Sequence, residues 1–273
     1  MLADLHTHTT ASDGELSPEQ LITRAKAAGI SLLSITDHDT VAAYKSLREY
    51  KETDMRLVYG IELSSVWRKT GVHIIGLNID PDCAELNSAI KAQQNARYER
   101  AKTIAQKLTK LGFTGTLEGA LKIAKGTALG RPHFAHFLVE SGQVKTISIA
   151  FKKYLGQGKP GDVRENWPSL ETVTGWISTA GGTAVLAHPA KYKLSNLRLQ
   201  ELLKDFCAAN GHGLEVISGQ QDDGLTKRLG KLAQQYGLLA SCGSDFHRPG
   251  QPWAELGRGT ALPSGCAPIW ESW

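Results

Sequence analysis

The chain has 273 residues, 41% of them hydrophobic and 21% charged, with a formal net charge of +4 and a pI near 8.8. That is apolar mass enough for one large α/β domain or two smaller ones. The charge is too weak to argue by itself for nucleic acid, though it suits an anionic small substrate. Four scattered cysteines without CxxC spacing argue against a cysteine-based zinc site and read as free thiols in a reducing compartment. No basic and apolar leader is evident and no apolar run approaches the roughly 18 to 20 residues of a membrane span, so a cytoplasmic protein without membrane association is expected.

In chain order, strand and helix signals alternate. LADLHTH (2–8) reads as a strand. SPEQLITRAKAAG follows as a helix, with Ser17 as N-cap, Pro18 first in the helix, Gln20 completing a capping box and Gly29 as the stop. ISLLSITDHD is an apolar run ending in charged residues, with a helix expected near 40–52. RLVYGIELSS and GVHIIGLNI are two more strands, expected to be antiparallel or closely linked because only a short polar stretch separates them. From about 84 to 155 the pattern is nearly all helical. Leu86, Ile90, Ala101, Ile104, Ala105 and Leu108 recur at three- and four-residue spacing, Gly112 terminates that run, and three shorter helical pieces follow. Alternation resumes with GGTAVLAHP, a helix near 195–209, GLEVIS, a helix near 223–236, and LLASCGSDFH. About seven strands, most alternating with helices, predict a parallel β/α arrangement in which 1–83 and 156–273 form one α/β domain and 84–155 a helical insertion or cap. Trp270 and Trp273 are expected to pack onto the barrel.

In β/α barrels the chemistry sits at the C-terminal ends of several strands at once. Six of the seven strands here carry a His, Asp or Glu at or near that end. His6 and His8, two apart, aim at one face of a strand, and Asp13 in a Ser-Asp-Gly turn reaches back toward them. Glu62 ends VYGIE, where a carboxylate would be costly to bury unpaired. His73 stands at the start of its strand, which suits a strand running opposite to that of Glu62, the two meeting at one rim. His38 ends ITDH, His188 ends TAVLAHP, and Asp245 and His247 repeat the i, i+2 geometry of the opening. Asp37 and Asp39 compete as N-caps of the following helix. LEVIS is the exception: it carries Glu215 in its interior and no clear ligand at its end. Six of the nine histidines fall at these positions, which predicts a shared polynuclear metal site.

Imidazole and carboxylate donors without thiolate suit Mn²⁺, Fe²⁺ or Zn²⁺ better than Ca²⁺ or Mg²⁺ alone. Three divalent ions would bring about +6, and Asp13, Glu62 and Asp245 return three negatives, leaving roughly +3. A phosphate dianion with hydroxide balances that charge and a neutral amide does not, so phosphoester hydrolysis is expected over amide hydrolysis.

The motifs LHTHTTASDG, ITDHD, YGIELS, GVHIIG, LAHP and CGSDFH, in this order over nearly the whole chain, resemble the polymerase and histidinol phosphatase (PHP) family. GRPHFA and GKPGDVRENW resemble its bacterial 3′,5′-nucleotide bisphosphate phosphatase subgroup, some of whose members also act as 5′→3′ exoribonucleases on short RNA. The resemblance implies a distorted (β/α)7 barrel with a helical insertion and a trinuclear centre, most readily of Mn²⁺. It implies one ion held by His6, His8, Glu62 and Asp245. A second would be held by Glu62 as bridge with His73 and His188, and a third by Asp13, His38 and His247. Asp37 has no ligand role in this scheme, which favours its N-cap reading. Arg131 and Lys159 match the subgroup's phosphate-binding positions. His133 is a candidate to orient substrate or protonate the leaving ribose oxygen, with packing inside the cap as the alternative, and His136 reads as structural.

Arg97 to Arg100 (RYER) read as a solvated helix face, and no aromatic-rich basic surface is evident. Mononucleotide bisphosphates or short oligoribonucleotides are therefore the expected substrates, with no obligate protein partner inferred. Two rival readings remain. A histidinol-phosphate phosphatase would need an anionic patch for the substrate ammonium, where GRPHFA and GKPGDVREN offer mainly cations. A non-catalytic, metal-stabilised PHP domain, like the inactive ones attached to DNA polymerases, is opposed by the intact ligand set.

Overall fold

A computed structural model describes residues 1–48, 54–127, 129–163, 167–258 and 261–273. Its seven strands are β1 (Ala3–Asp4), β2 (Leu32–Ile35), β3 (Arg56–Trp67), β4 (Thr70–Leu77), β5 (Thr183–Leu186), β6 (Gly213–Ser218) and β7 (Leu239–Gly243), and they neighbour one another in chain order. β1–β2–β3 and β5–β6–β7 are parallel runs, and β4 lies antiparallel to both β3 and β5. Beyond β1, Leu5 N donates to Cys242 O at 2.9 Å and Thr7 bridges Phe246, which brings the last strand against the first. The result is a nearly closed, distorted (β/α)7 barrel.

The two-residue period of the strands sorts their side chains. Leu32, Ile75, Leu77 and Val185 point to an inner cluster with Leu5, Val58 and Ile269. Their neighbours Leu33, Ile74, Ala184 and Leu186 point outward to the helices. With both faces covered, these strands read as continuous apolar runs, as in LLSI and TAVL. A short C-terminal helix, Ile269–Ser272, closes the lower end. Ile269 is fully buried there, Trp270 packs partly buried on both clusters, and Trp273 Nε1 donates to Thr183 Oγ1 at 3.3 Å.

The outer helices around the barrel are α1 (Pro18–Ala27), α2 (Ala43–Ser46), α7 (Leu170–Thr179), α8 (Asn196–Ala208) and α9 (Asp223–Tyr236). The expected capping box is present: Gln20 N donates to Ser17 Oγ and Ser17 N to Gln20 Oε1. Of the helix expected near 40–52, Ala43–Ser46 is helical, and 49–52 lies outside the described residues. The opening strand is shorter than LADLHTH, so His6 and His8 stand on extended chain just past its end. α7 has no counterpart in the sequence reading; Ser169 caps it by accepting from Thr172 N.

Between β4 and α7 lie α3 (Ala84–Lys110), α4 (Thr116–Ala124), α5 (Arg131–Glu140) and α6 (Ile147–Ala150), the last continued by a π-helical turn, Phe151–Leu155. They enclose a cluster of their own, built on Ile104, Leu108, Phe113, Phe134, Leu138 and Leu155. α3 serves two cores: Leu86 and Ile90 pack with the barrel, Ile104 and Leu108 with this second cluster.

Candidate metal centre

All nine predicted ligands meet at one rim of the barrel. β4 runs against its neighbours, so His73 near its start reaches the rim where the other strands end, opposite Ser64 of β3. Their donor atoms converge in four overlapping sets, each within 4.8 Å: His8, Asp13, His38 and His247; His6, Glu62 and His188; His6, His8 and Asp245; His38, Glu62 and His73. Glu62 is at the centre. Its Oε1 lies 2.8 Å from His73 Nδ1 and 3.0 Å from His188 Nε2. Its Oε2 lies 2.9 Å from His38 Nδ1 and 3.4 Å from Nε2 of both His6 and His8. One carboxylate thus turns its two oxygens to two groups of imidazoles, as a bridging ligand would. Asp245 Oδ1 faces His6 and His8 at 3.5 and 3.2 Å, and Asp13 Oδ1 faces His247 at 3.4 Å.

The arrangement fits divalent cations by its own unmet needs. His6 Nε2, both ring nitrogens of His8, His38 Nδ1, His188 Nδ1 and Glu62 Oε2 are buried without a hydrogen-bond partner. Several such atoms in one place are expensive in a protein interior. An N/O donor set without thiolate is what borderline divalent metals take.

Electrostatics show the same strain. Burial opposes charge on His6, but the carboxylates of Glu215 and Glu62 outweigh it and push its pKa up to about 10. Burial drives His188 down to about 4 and His8 well below its ordinary value. Burial would raise Glu62 and Asp13, yet the surrounding histidines hold both carboxyls well below the usual range: His38, His73 and His6 around Glu62, His247 and His38 around Asp13.

Around the ligands is a set of braces that the sequence reading did not assign. Glu215 is fully buried; its Oε1 accepts from His6 Nδ1 at 2.9 Å and its Oε2 from His188 N at 2.5 Å. Tyr192 donates to Ala187 O at 2.8 Å and accepts from His73 N at 2.9 Å, tying β4 to β5. Gly243 lets β7 approach β1, since a Cβ there would fall 2.3 Å from that of His6. Asp39, His188 and Asp245 adopt positive φ (48°, 25° and 54°), a conformation held by these surroundings.

Two expectations are corrected here. Asp37 is not an N-cap: it accepts from Thr9 N, Thr9 Oγ1 and Ser12 Oγ at 2.6–2.8 Å, fixing the loop that carries Asp13. α2 has no side-chain cap, and Asp39 also faces elsewhere. Nor is RYER a solvated face throughout. Arg97 is buried, with Nε 2.5 Å from Asp39 Oδ2, Nη2 donating to Ser64 Oγ at 2.8 Å and its guanidinium over the Trp167 ring.

Of the predicted substrate residues, Arg131 borders the cluster through the cavities it lines, whereas Lys159 lines none of the cavities that reach the cluster. Arg131, first residue of α5, is half-buried with Nη1 3.5 Å from Asp162 Oδ1. It lines a cavity of about 620 Å³ together with Lys69, His73, Asp162, Lys191 and Tyr192. Lys191, which the sequence reading did not single out, pairs with Asp245. Lys159 is exposed, on a turn closed by Asp162 N donating to Lys159 O and Gly158 N donating to Asp162 Oδ2; of GKPGDVRENW, 164–166 lie outside the described residues. His133 is buried with Nδ1 accepting from Gly130 N at 3.0 Å, and burial lowers its pKa. His136 lines a second cavity, of about 420 Å³, on the β6–β7 side. The four cysteines are free thiols, and among the described residues no helix is long and apolar enough to cross a membrane.

A seven-stranded α/β barrel with a nine-member imidazole–carboxylate cluster at one rim defines a metal-dependent enzyme of the barrel hydrolase type. The PHP domain model matches residues 4–100. The chain is 44% identical to the 5′-3′ exoribonuclease Rnm of Salmonella typhimurium, over 100% of this chain and 94% of that protein. It is 40% identical to the 3′,5′-nucleoside bisphosphate phosphatase of Chromobacterium violaceum, over 98% and 94%. An amidohydrolase structure from Chromobacterium violaceum, solved with bound sulfate, superposes with a TM-score of 0.90 at 39% identity, covering 100% of this chain and 95% of that one. The chain belongs to the PHP family.

Proposed function

We propose that the protein hydrolyses the 3′-phosphate of 3′,5′-bisphosphonucleotides, giving a 5′-mononucleotide and inorganic phosphate, and trims short RNA from the 5′ end by the same reaction. The observation that carries this reading is the juxtaposition of the nine-residue cluster with a cavity lined by Lys69, Arg131 and Lys191. One phosphate can meet the metals while another meets fixed cations. The names of the two relatives supply the nucleotide part of the reading.

Three divalent ions, best Mn²⁺ with Fe²⁺ and Zn²⁺ also suited to the donors, would be held by His6, His8, Asp13, His38, Glu62, His73, His188, Asp245 and His247. The converging sets group these residues somewhat differently from the expected scheme, His188 lying with His6 and His73 with His38, both about Glu62. When bound, such ions lower the pKa of water and neutralise phosphoryl charge. The chain's own residues do the rest. With an ion in place of the second proton, Glu215 would keep the remaining proton of His6 on Nδ1 and leave the Nε2 lone pair to the ion. Arg131 presents a planar fork for a terminal phosphate, and Lys159, on the turn that Asp162 closes, adds a point charge. With Nδ1 accepting from Gly130 and burial keeping the ring neutral, His133 retains a proton on Nε2. That supports orienting the substrate over protonating the leaving oxygen. Residues 84–155 act as the cap that brings Arg131 and His133 over the rim, and unpaired thiols support a reducing, cytoplasmic setting.

The test is phosphate release by Mn²⁺-loaded protein from adenosine 3′,5′-bisphosphate beside 5′-AMP. Rapid release from the first and little from the second is expected; release from neither would mean that the substrate is misidentified. Histidinol phosphate in the same assay checks the rival phosphatase reading.

A further inference from the structure

Among the cavities that border the metal-ligand cluster, two share Lys191 as a common wall, and one of these two also holds an exposed indole. The one on the β3–β4 side is cationic, as described. The one on the β6–β7 side borders Asp13, Asp245 and His247 and is walled by Phe151, Gln220 and Trp253. Trp253 is 60% exposed, and of the seven exposed large hydrophobic residues among those described it alone stands in a cavity bordering the cluster. An indole left in water forgoes the burial that normally fixes its place.

This indole is nevertheless mounted on a fixed base. The carbonyl of Trp253 accepts from Gln220 N at 2.7 Å, and Gly219 N donates to Gly243 O at 2.8 Å. Gly219, at φ +61°, lies so close beneath that a Cβ would fall 2.4 Å from that carbonyl. Two residues on, Glu255 takes a two-pronged bond from Arg24 of α1. The segment is thus locked to the ends of β6 and β7, beside Asp245 and His247.

We propose that Trp253 is the stacking platform for the second nucleoside of an RNA substrate. The proposal rests on the function given above and assigns part of the site to RNA alone. In a 3′,5′-bisphosphate the reacting phosphate is esterified once, to the leaving 3′-oxygen. In RNA the same phosphate is esterified a second time, to the 5′-oxygen of the next nucleotide. With the 5′-phosphate of the first nucleotide drawn toward Arg131, the next nucleoside is directed to the other side of the cluster, where this cavity opens. An aromatic face accepts any base. A single platform serves a dinucleotide and gives little added grip to longer chains.

The experiment compares Trp253→Ala with the unaltered protein, Mn²⁺-loaded, on 5′-phosphorylated ApA and on adenosine 3′,5′-bisphosphate. The expected result is a fall in kcat/KM on the dinucleotide at least about fivefold greater than on the bisphosphate, the lower end of what base–aromatic stacking supplies. Trp253→Phe should restore most of it. Equal losses on the two substrates, or no loss on either, overturn the proposal. Binding is read separately with a dinucleotide whose linkage is an uncleavable methylenephosphonate and whose second base is 2-aminopurine. Stacking on the indole should quench its fluorescence, and Trp253→Ala should abolish the quench; absence of quenching on the unaltered protein overturns the proposal. Quenching without cleavage of either natural substrate would uphold the platform and refute the proposed reaction.

Discussion

Glu215, fully buried in β6, accepts a hydrogen bond from Nδ1 of His6, 209 positions away in the chain, at 2.9 Å. The pair orients the ring of His6 within the candidate metal cluster, and the other Glu215 oxygen holds the backbone of His188. Outer partners of this kind typically set about 10- to 100-fold of metal affinity. Glu215→Gln, which keeps volume but cannot accept from both, should weaken metal binding by about that factor. Competition against a chelator of known affinity measures it, and unchanged retention would reduce Glu215 to a packing role.

Arg131 is half-buried at the edge of the cationic cavity, and its contacts to Asp162 Oδ1 and Leu155 O are both long, at 3.5 Å, and both made by Nη1. Arg131→Ala should lower kcat/KM for adenosine 3′,5′-bisphosphate by about 10-fold or more, the scale of a charge-assisted bidentate contact. It should leave an aryl phosphate, which has no second phosphate to recognise, nearly unaffected. Equal loss on both would remove Arg131 from recognition of the second phosphate.

The nine candidate positions that meet at the rim were legible because most close an apolar strand pattern, in an i, i+2 pair such as His6 and His8 or against a stop such as Pro189, while His73 stands near the start of an antiparallel strand and Asp13 sits in a turn. The braces were hidden for physical reasons. Glu215 lies inside a strand and its partner is remote in sequence. Asp37 precedes a helix, where an aspartate reads as a cap, yet the three groups it binds belong to residues 9–12. Arg97 looks solvated on a helical wheel because the wheel omits the barrel rim to which α3 is bound. α7 escaped notice because Thr172, Val173, Thr174 and Ile177 are poor helix formers, and tertiary packing decides the element there. Trp253 lies in a short 3-10 turn with no periodicity to read.

Arg97 and Asp39 form a buried ion pair that joins α3 to the residue following His38. Arg97→Met leaves Asp39 buried without its cation, at a cost of about 3–5 kcal/mol. Adding Asp39→Asn should recover part of that loss, because the two residues share one interaction. Denaturant unfolding of the two single variants and the double variant gives the coupling; strict additivity would show that the pair does not act as a unit.

Metal removal should loosen the whole barrel, since the cluster links residues on, or just past, six of its seven strands. Ligands that bind only the folded state add about 2.7 kcal/mol at a hundredfold excess over Kd. For a chain of this size that corresponds to a Tm rise of about 5–10 °C on loading with Mn²⁺. Differential scanning fluorimetry with and without chelator measures it. An unchanged Tm across saturating metal would show that the cluster takes no ion with useful affinity.

Arg24 grips Glu255 through Nε and Nη2 at 3.0 and 2.9 Å, clamping α1 to the segment that carries Trp253. The side-chain hydrogen bonds from Arg24 hold the Glu255 carboxyl below its ordinary value of 4.5. A carboxyl lowered on folding contributes stability above its unfolded pKa and loses it as the pH falls through the folded value. Arg24 is partly solvent-screened, so the pair should contribute only about 0.5–1 kcal/mol near pH 7. Glu255→Gln should therefore be less stable by that amount at neutral pH, with the difference shrinking below pH 4.5 and vanishing once Glu255 is protonated in both states. A pH series of urea midpoints for the two proteins follows the difference, and one that grew on acidification would contradict the assigned pair.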